Sequence, residues 1–164
     1  MKRLPIYSEG KVAAWSLVDD EDFDEQNKHR WSLRLARNGL HYAARGKRID
    51  GKAKAFYLHR EILKPSTGME VDHRDHNGLN NQRANLRVAT KSQNQANQLA
   101  RKATSKYKGV CRVAERSRWD ARIMVRGKLI WLGDFKTEKE AVYAYDQAAI
   151  QHHGEFALAK QTLR

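Results

Sequence analysis

Between Trp119 and Arg126, apolar side chains alternate with side chains that are mostly charged. A period of two places the apolar side chains on one face of a strand, so this segment predicts a half-buried β-strand. Gly127 then turns the chain into a second run, Lys128 to Phe135. The pattern predicts two successive strands that need a covering layer on their apolar face.

A helix is predicted directly after these strands. Thr137 and Glu140 have the spacing of a capping box, and Gly154 predicts the end of the helix. Mostly small side chains form one stripe along it: Ala141, Ala144, Tyr145, Ala148 and Ala149. Strands followed by one such helix predict a compact α+β module, close to the smallest size that folds alone.

A second segment, residues 71–94, collects the side chains of a hydrolytic site. Asp72 offers a carboxylate, a hard ligand suited to Mg²⁺ or Mn²⁺, and Asn94 offers an amide oxygen. His73 offers an imidazole, whose ordinary pKa of ~6.5 leaves it partly neutral and able to take a proton from water. An Asp-His pair alone is usually part of a solvated loop. The surrounding asparagines favour phosphodiester cleavage instead, which needs a base and a cation beside phosphate.

Other polar residues of this region are interpreted as structural. Asn77, Asn80 and Asn81 are typical turn formers, because their side chains bond the nearby backbone. His76 is interpreted as a surface residue of the loop. His59 is interpreted as a packing residue or a phosphate contact.

Further elements follow from local composition. Strands are predicted over Lys11–Val18, Trp31–Ala36 and Gly39–Ala44, and a helix over Asp19–His29. Phe56–Leu63 is compatible with a strand or a short helix, and Val71–Arg87 is predicted to be a loop with little periodicity. Thr90 and Gln93 predict a helix from Lys91 to about Leu99.

Charge points to a polyanionic partner. The chain carries 32 Lys and Arg against 19 Asp and Glu, a formal net charge of +13. Residues 1–30 hold five of these cations and seven of the anions, so the basic excess lies in the rest of the chain. Nucleic acid is the commonest such partner, and an anionic membrane surface is the weaker alternative. Only one cysteine, Cys111, is present, which excludes a disulfide framework and a multi-cysteine zinc site.

Between residues 55 and 98 the chain carries, in order, Val71-Asp72-His73, Asp75, Asn77, Leu79-Asn80-Asn81, Asn85-Leu86-Arg87 and Asn94. This string resembles the HNH homing endonucleases of the ββα-metal fold. The resemblance implies that His73 is the general base and that Asn85 fixes the loop that orients it. It also implies that Asp72 and Asn94 bind one divalent cation, with Asn94 replacing the closing His of the family name as in phage-type members.

The last part of the chain carries, in order, Tyr107-Lys108-Gly109-Val110, Trp119-Asp120-Ala121-Arg122-Ile123, Trp131-Leu132-Gly133-Asp134-Phe135 and Ala144-Tyr145-Asp146. This order is similar to the plant Apetala-two/ethylene-response-factor DNA-binding domain. The resemblance implies a three-stranded antiparallel sheet in the major groove, with one helix packed behind it.

By that resemblance, Lys108, Arg122 and Trp131 are predicted to face the groove. Further base or phosphate contacts are predicted for Arg112, Arg116, Arg118, Arg126 and Lys128. The tryptophans can alternatively be sheet core, an interpretation we favour for Trp119 and weigh evenly for Trp131. The plant pattern has arginines where this chain has Cys111, Val113, Met124 and Leu129, so plant sequence preference does not carry over.

Together these features predict an α+β chain of two parts. Residues 1–99 form an HNH nuclease domain, residues 100–106 a basic linker in which Arg101 and Lys102 lie along DNA, and residues 107–164 the DNA-binding module. The predicted function is a site-directed, homing-type endonuclease that nicks DNA. A DNA-binding transcription regulator without activity is the alternative, and an RNA-binding protein has weaker support because sheet readout of the major groove suits B-form DNA.

The predicted partner is double-stranded DNA, with no membrane and no small-molecule cofactor. The longest uncharged apolar run near the start, Val12 to Val18, is far shorter than the ~20 residues of a membrane span. The chain is predicted to be a monomer or weak dimer. Phage-type relatives imply a bacteriophage origin and the cytoplasm of a bacterial host.

Overall fold

The computed structural model describes residues 1–36, 39–100 and 104–158. The chain divides into two compact units, Met1–Thr90 and Lys91–Arg164. Both units combine helices and strands, so the predicted α+β class is confirmed. The functional boundaries at residues 99 and 107 stay predictions, and Arg101 and Lys102 lie outside the described residues.

The first unit contains one larger sheet and one hairpin-like pair of strands. Its elements are β1 Lys2–Ser8, β2 Lys11–Val18, α1 Asp20–Gln26, β3 Trp31–Leu35, β4 His41–Ile49, β5 Lys52–Tyr57, α2 Leu58–Leu63, β6 Glu70–His73 and β7 Leu86–Ala89. Among the described residues, the larger sheet has the order β2-β1-β3-β4-β5. β1 and β3 are parallel, and the other neighbours in this sheet are antiparallel.

Most predicted elements of this unit are confirmed. The strand Lys11–Val18 has the predicted bounds, and the strand predicted from Trp31 ends at Leu35. The helix predicted over Asp19–His29 is shorter, Asp20–Gln26. Phe56–Leu63 contains both predicted alternatives, because β5 ends at Tyr57 and α2 begins at Leu58.

The core of the first unit joins the larger sheet to β6 and β7. Side chains from β1, β2, β3, β4, α2, β6 and β7 form one buried cluster, which comprises Leu4, Ile6, Val18, Trp31, Ala43, Leu58, Ile62, Val71 and Leu86. Trp31 is fully buried, and its indole Nε1 donates to the Gln26 carbonyl at 2.9 Å. Val71 and Leu86 anchor β6 and β7 in this core, and this fixes the neighbouring residues Asp72 and His73.

The predicted loop over Val71–Arg87 is wrong at both ends. β6 and β7 pair antiparallel, with Asp72 opposite Arg87 and His73 opposite Leu86. Each strand has only four residues, too few for a period to be visible. Three of the four paired residues are polar yet buried, because Asp72 and Arg87 satisfy each other and His73 is bonded within the unit.

The second unit begins with a short helix and continues as a sheet covered by a long helix. Its elements are α3 Lys91–Asn97, β8 Val110–Val113, β9 Arg118–Val125, β10 Lys128–Phe135 and α4 Glu138–His153. Among the described residues, the sheet order is β10-β9-β8 and all pairs are antiparallel. The predicted capping box at Thr137 and Glu140 is present, with both reciprocal bonds formed.

One glycine is required for the packing of α4 on this sheet. Gly109 has a φ of +72°, and a Cβ there would collide with the Tyr145 ring and the Arg122 carbonyl. The close approach lets the Arg122 amide donate to the Gly109 carbonyl at 2.7 Å. In the described parts of the chain, none of the helices has the length and apolar character needed to span a bilayer.

Candidate active site

The predicted carboxylate lies in the middle of β6 and is paired with an arginine. Arg87 donates from Nε at 2.7 Å and from Nη2 at 2.6 Å to the same oxygen, Oδ2, of Asp72. The two residues are 8% and 5% exposed, so the pair is shielded from water. No role was predicted for Arg87 from sequence, and its position opposite Asp72 follows from the β6–β7 register.

His73 ends β6 and is 5% exposed. Its Nε2 lies 3.3 Å from Oδ1 of Asn81. Burial lowers the pKa of His73, while the bond to Asn81 and the nearby carboxylates of Asp75 and Asp72 partly oppose this shift. The imidazole is therefore mainly neutral at neutral pH, the form that accepts a proton.

Asn85 joins the two arms of the loop between β6 and β7. Its Nδ2 donates to Asp75 Oδ1 at 2.9 Å and to the Asn80 carbonyl at 2.8 Å, and its Oδ1 accepts from the Asp75 amide at 3.1 Å. Burial opposes ionisation of Asp75, but hydrogen bonds from Asn77, Asn80 and Asn85 outweigh it and lower the pKa of this carboxyl. These contacts support the predicted loop-fixing role, which stays a prediction.

The structure gives Asn81 more than the predicted turn-forming role. Asn81 is fully buried and contacts both His73 and Ser16, a serine of β2 that is also fully buried. Ser16 and Asn81 are 65 residues apart in sequence, so no local pattern could have linked them. Asn77 does form the predicted turn, because its Oδ1 accepts from the Leu79 amide at 3.1 Å.

Aromatic rings surround His73. Its ring centroid lies 5.1 Å from that of His59 and 5.7 Å from that of Tyr42. His59 also stacks on Tyr57, as a packing residue would, and its Nδ1 is buried without a hydrogen-bond partner among the described residues. Burial, then the proximity of His73, lowers the pKa of His59 to about 3. His59 is therefore neutral at any pH near neutrality, and its phosphate-contact role stays a prediction.

His76 lies in the turn after β6. Its amide donates to the His73 carbonyl at 3.1 Å, and its backbone has a φ of 63°. The side chain is half-buried rather than fully on the surface.

The two predicted metal ligands are Asp72 and Asn94. Asp72 lies on β6 of the first unit, whereas Asn94 lies on α3 of the second unit. No group of three or more His, Cys, Asp or Glu side chains able to hold a metal occurs among the described residues. A carboxylate and an amide oxygen are each of the ligand type that Mg²⁺ accepts. The joint action of Asp72 and Asn94 stays a prediction.

The second unit exposes one face of its sheet. Arg122 lies opposite Trp131 in the register, and Met124 lies opposite Leu129. Trp131 is 62% exposed, whereas Trp119 packs against the core, as predicted for it. Two more predicted contacts, Arg126 and Lys128, flank the β9–β10 turn and are exposed.

Some predicted DNA contacts already have partners within the unit. Arg118 donates to Asp134 at 2.6 Å, and Arg122 donates to Asp120 at 2.7 Å. Lys108 donates from Nζ to carbonyls near the end of α3, those of Gln95 and Ala96, at 2.6 and 2.8 Å. Burial lowers the pKa of Lys108 to about 8.

Two further predicted contacts lie away from the exposed face. Arg112 lies opposite Trp119 on β9, so alternation places it on the other face from Arg122. Arg116 is exposed in the turn between β8 and β9.

Comparison with known proteins identifies the segment that contains His73. Residues 57–96 match the HNH endonuclease family model. The chain is also 38% identical over 106 residues to an uncharacterized HNH endonuclease of Acanthamoeba polyphaga mimivirus, covering 61% of this chain and 54% of the viral one. The predicted HNH resemblance is confirmed.

The predicted plant resemblance is confirmed as well. An ethylene-responsive transcription factor of Arabidopsis thaliana is 44% identical over 55 residues, which is 32% of this chain and 13% of the plant protein. An AP2-like ethylene-responsive transcription factor of the same plant is 46% identical over 55 residues, 32% and 10% of the two chains.

These similarities support nuclease activity from the HNH segment, residues 57–96, and DNA binding from the likeness to transcription factors. This chain spans about half of the viral relative and a smaller part of the plant ones. The viral relative comes from a giant virus, so a bacteriophage origin stays a prediction.

Proposed function

We propose that this protein is a site-directed, homing-type DNA endonuclease in which His73 is the general base. The observation that carries the proposal is a buried imidazole, held by Asn81 next to the Asp72 carboxylate, inside the HNH segment. Its lowered pKa supplies the neutral base at the pH of a cell.

In the proposed reaction, His73 removes a proton from a water molecule in line with the scissile phosphate. The water oxygen bonds to phosphorus, the bond from phosphorus to the leaving sugar oxygen breaks, and the proton stays on the imidazole until solvent removes it. Asp72 and Asn94 would hold one divalent cation, Mg²⁺ or Mn²⁺, as HNH nucleases generally use a divalent metal. The chemistry that a bound cation supplies here is stabilisation of the negative charge that develops on the phosphate and the leaving oxygen.

One such site per chain supports nicking of a single strand. Cleavage of both strands would then need a second active site or a second binding event. A monomer or weak dimer is compatible with this proposal.

The exposed sheet face of the second unit is the proposed DNA reader. Arg122, Arg126, Lys128 and Trp131 place cations and one large aromatic ring on or beside this face. A sheet ribbon fits the major groove, where arginine can form two hydrogen bonds with guanine. Lys108, Arg112, Arg116, Arg118, Arg101 and Lys102 are proposed as supporting base or phosphate contacts.

Cleavage of duplex DNA tests the catalytic proposal. Purified protein incubated with random-sequence duplex and Mg²⁺ or Mn²⁺ should yield cut ends that share a sequence, and a chelator should abolish them. The circular dichroism spectrum should not change when the chelator is added. The buried clusters among the described residues consist of apolar side chains, so folding should not depend on a bound metal. Sequence-specific binding without any cut ends would contradict this proposal and favour a transcription regulator.

A triple substitution tests the DNA-reading face. Arg122→Ala, Lys128→Ala and Trp131→Ala together should reduce DNA affinity and relax the shared sequence at the cut ends. Removing a cation that neutralises one phosphate should reduce the slope of log affinity against log salt by about 0.9. The measurement is a fluorescence anisotropy titration at several salt concentrations.

A charge-matched control accompanies this variant. Lys136→Ala with Lys139→Ala also removes two cations, both exposed and outside the sheet. Equal effects of the two sets would show that the net charge, and not this face, binds DNA.

A further inference from the structure

A chain of hydrogen bonds links the amino-terminal sheet to His73. The hydroxyl of Ser16 lies 2.8 Å from the Leu79 carbonyl oxygen. Asn81 Nδ2 lies 2.8 Å from Ser16 Oγ and 3.3 Å from the Gly78 carbonyl oxygen. Asn81 Oδ1 lies 3.3 Å from His73 Nε2.

Each bond in this chain has only one possible direction. The carbonyl oxygens of Leu79 and Gly78 can only accept. Ser16 has one hydroxyl hydrogen, and when it is donated to Leu79, Ser16 Oγ must accept from Asn81. The Asn81 atom that contacts both Ser16 and Gly78 must therefore be the amide nitrogen, so its oxygen faces His73.

An amide oxygen facing Nε2 fixes the protonation of the neutral imidazole. Since Oδ1 of Asn81 can only accept, Nε2 of His73 must carry the hydrogen. A neutral imidazole carries one hydrogen, so its proton-accepting lone pair is on Nδ1.

Burial and backbone pairing keep this arrangement in place. Ser16 and Asn81 are both fully buried, so water cannot readily replace either bond. The backbone on both sides is also paired, because the Leu17 amide donates to Leu79 and the Asn81 amide donates to Leu17, each at 2.8 Å. The segment that carries Asn81 is thus attached to β2 by main-chain and side-chain bonds.

We infer that Ser16 is a positioning residue that acts through Asn81 to hold His73 as the Nε2–H tautomer, with Nδ1 as its proton-accepting atom. The importance of this tautomer for catalysis rests on the proposed function, in which His73 is the general base. The hydrogen-bond chain itself does not depend on that function.

Nitrogen-15 NMR of the histidine side chains tests the tautomer without any substitution. In the wild-type protein above pH 7, His73 should show a protonated Nε2 and an unprotonated Nδ1, with its signals assigned by their loss in His73→Gln. A hydrogen on Nδ1 would overturn the inference. The outcome is independent of whether the protein cleaves DNA.

Two substitutions test the part played by Ser16. Ser16→Ala removes the shorter of the two hydrogen bonds of Asn81 Nδ2 and leaves only the one to the Gly78 carbonyl at 3.3 Å. With Asn81 held less firmly, a second tautomer of His73 should appear and kcat for cleavage should fall about five- to tenfold with KM unchanged. Ser16→Thr keeps a hydroxyl and should restore a single tautomer. Ser32→Ala, which changes an exposed serine of β3 in the same sheet, should change neither quantity.

The two proposals fail in different ways. An unchanged His73 spectrum in a folded Ser16→Ala variant would overturn the role of Ser16. A changed spectrum with unchanged cleavage would keep the hydrogen-bond chain and contradict His73 as the base.

Discussion

His73→Ala should slow DNA cleavage by at least about 10²-fold while DNA affinity stays within a factor of about two. The imidazole is buried, and the proposed role requires it only in the chemical step. Single-turnover cleavage and a binding titration on the same DNA separate the two quantities. Because burial lowers the pKa of His73, the wild-type rate should be flat from pH 7 to 8 and fall only below the ordinary imidazole value of ~6.5.

The matched control is His152→Ala, which removes an exposed histidine of α4 and should leave both quantities unchanged. Parallel loss of binding and cleavage in His73→Ala, together with a lower unfolding midpoint, would instead make His73 a structural residue.

Arg87→Met should lower the free energy of unfolding by about 3–5 kcal/mol, because it leaves the Asp72 carboxylate buried without its guanidinium partner. Both side chains of the pair are less than a tenth exposed, so solvent cannot compensate for the loss. Urea unfolding followed by circular dichroism measures the change.

Two further variants separate the charge effect from packing. Asp72→Asn combined with Arg87→Met removes both charges and should recover part of the stability. Lys28→Met breaks a pair with Glu25 that is exposed on both sides, so the urea midpoint should not move. An Arg87→Met protein as stable as the wild type would show that the buried pair is energetically dispensable.

The predictable parts of the fold are those with a recognisable local pattern. The strand Lys11–Val18 and the Thr137 capping box depend on neighbouring residues, and both are confirmed. β1, most of β5 and the extension of β4 were not predicted. Much of β4 and β5 is exposed and lacks a clear apolar face. β6 and β7 were missed because four residues are too few to display a period.

At the candidate site, the residues of one short motif were predictable, but the residues that form hydrogen bonds with them were not. Asp72, His73 and Asn85 stand in a recognisable order, and their proposed roles follow from that order. Arg87 acquires a partner only through strand register, and Ser16 meets Asn81 only through the tertiary fold. Such long-range polar pairs leave no local periodicity in the sequence.

The attachment of residues 79–81 to β2 limits how the HNH segment can be recombined with other proteins. A graft of residues 57–96 alone would omit Ser16 and Leu17, and would leave the Asn81 side chain and backbone without these buried partners. A functional graft would therefore have to include β2 in addition to residues 57–96. Recombination that cuts the chain just before residue 57 would keep the recognisable motif but remove the residues of β2 that hold Asn81.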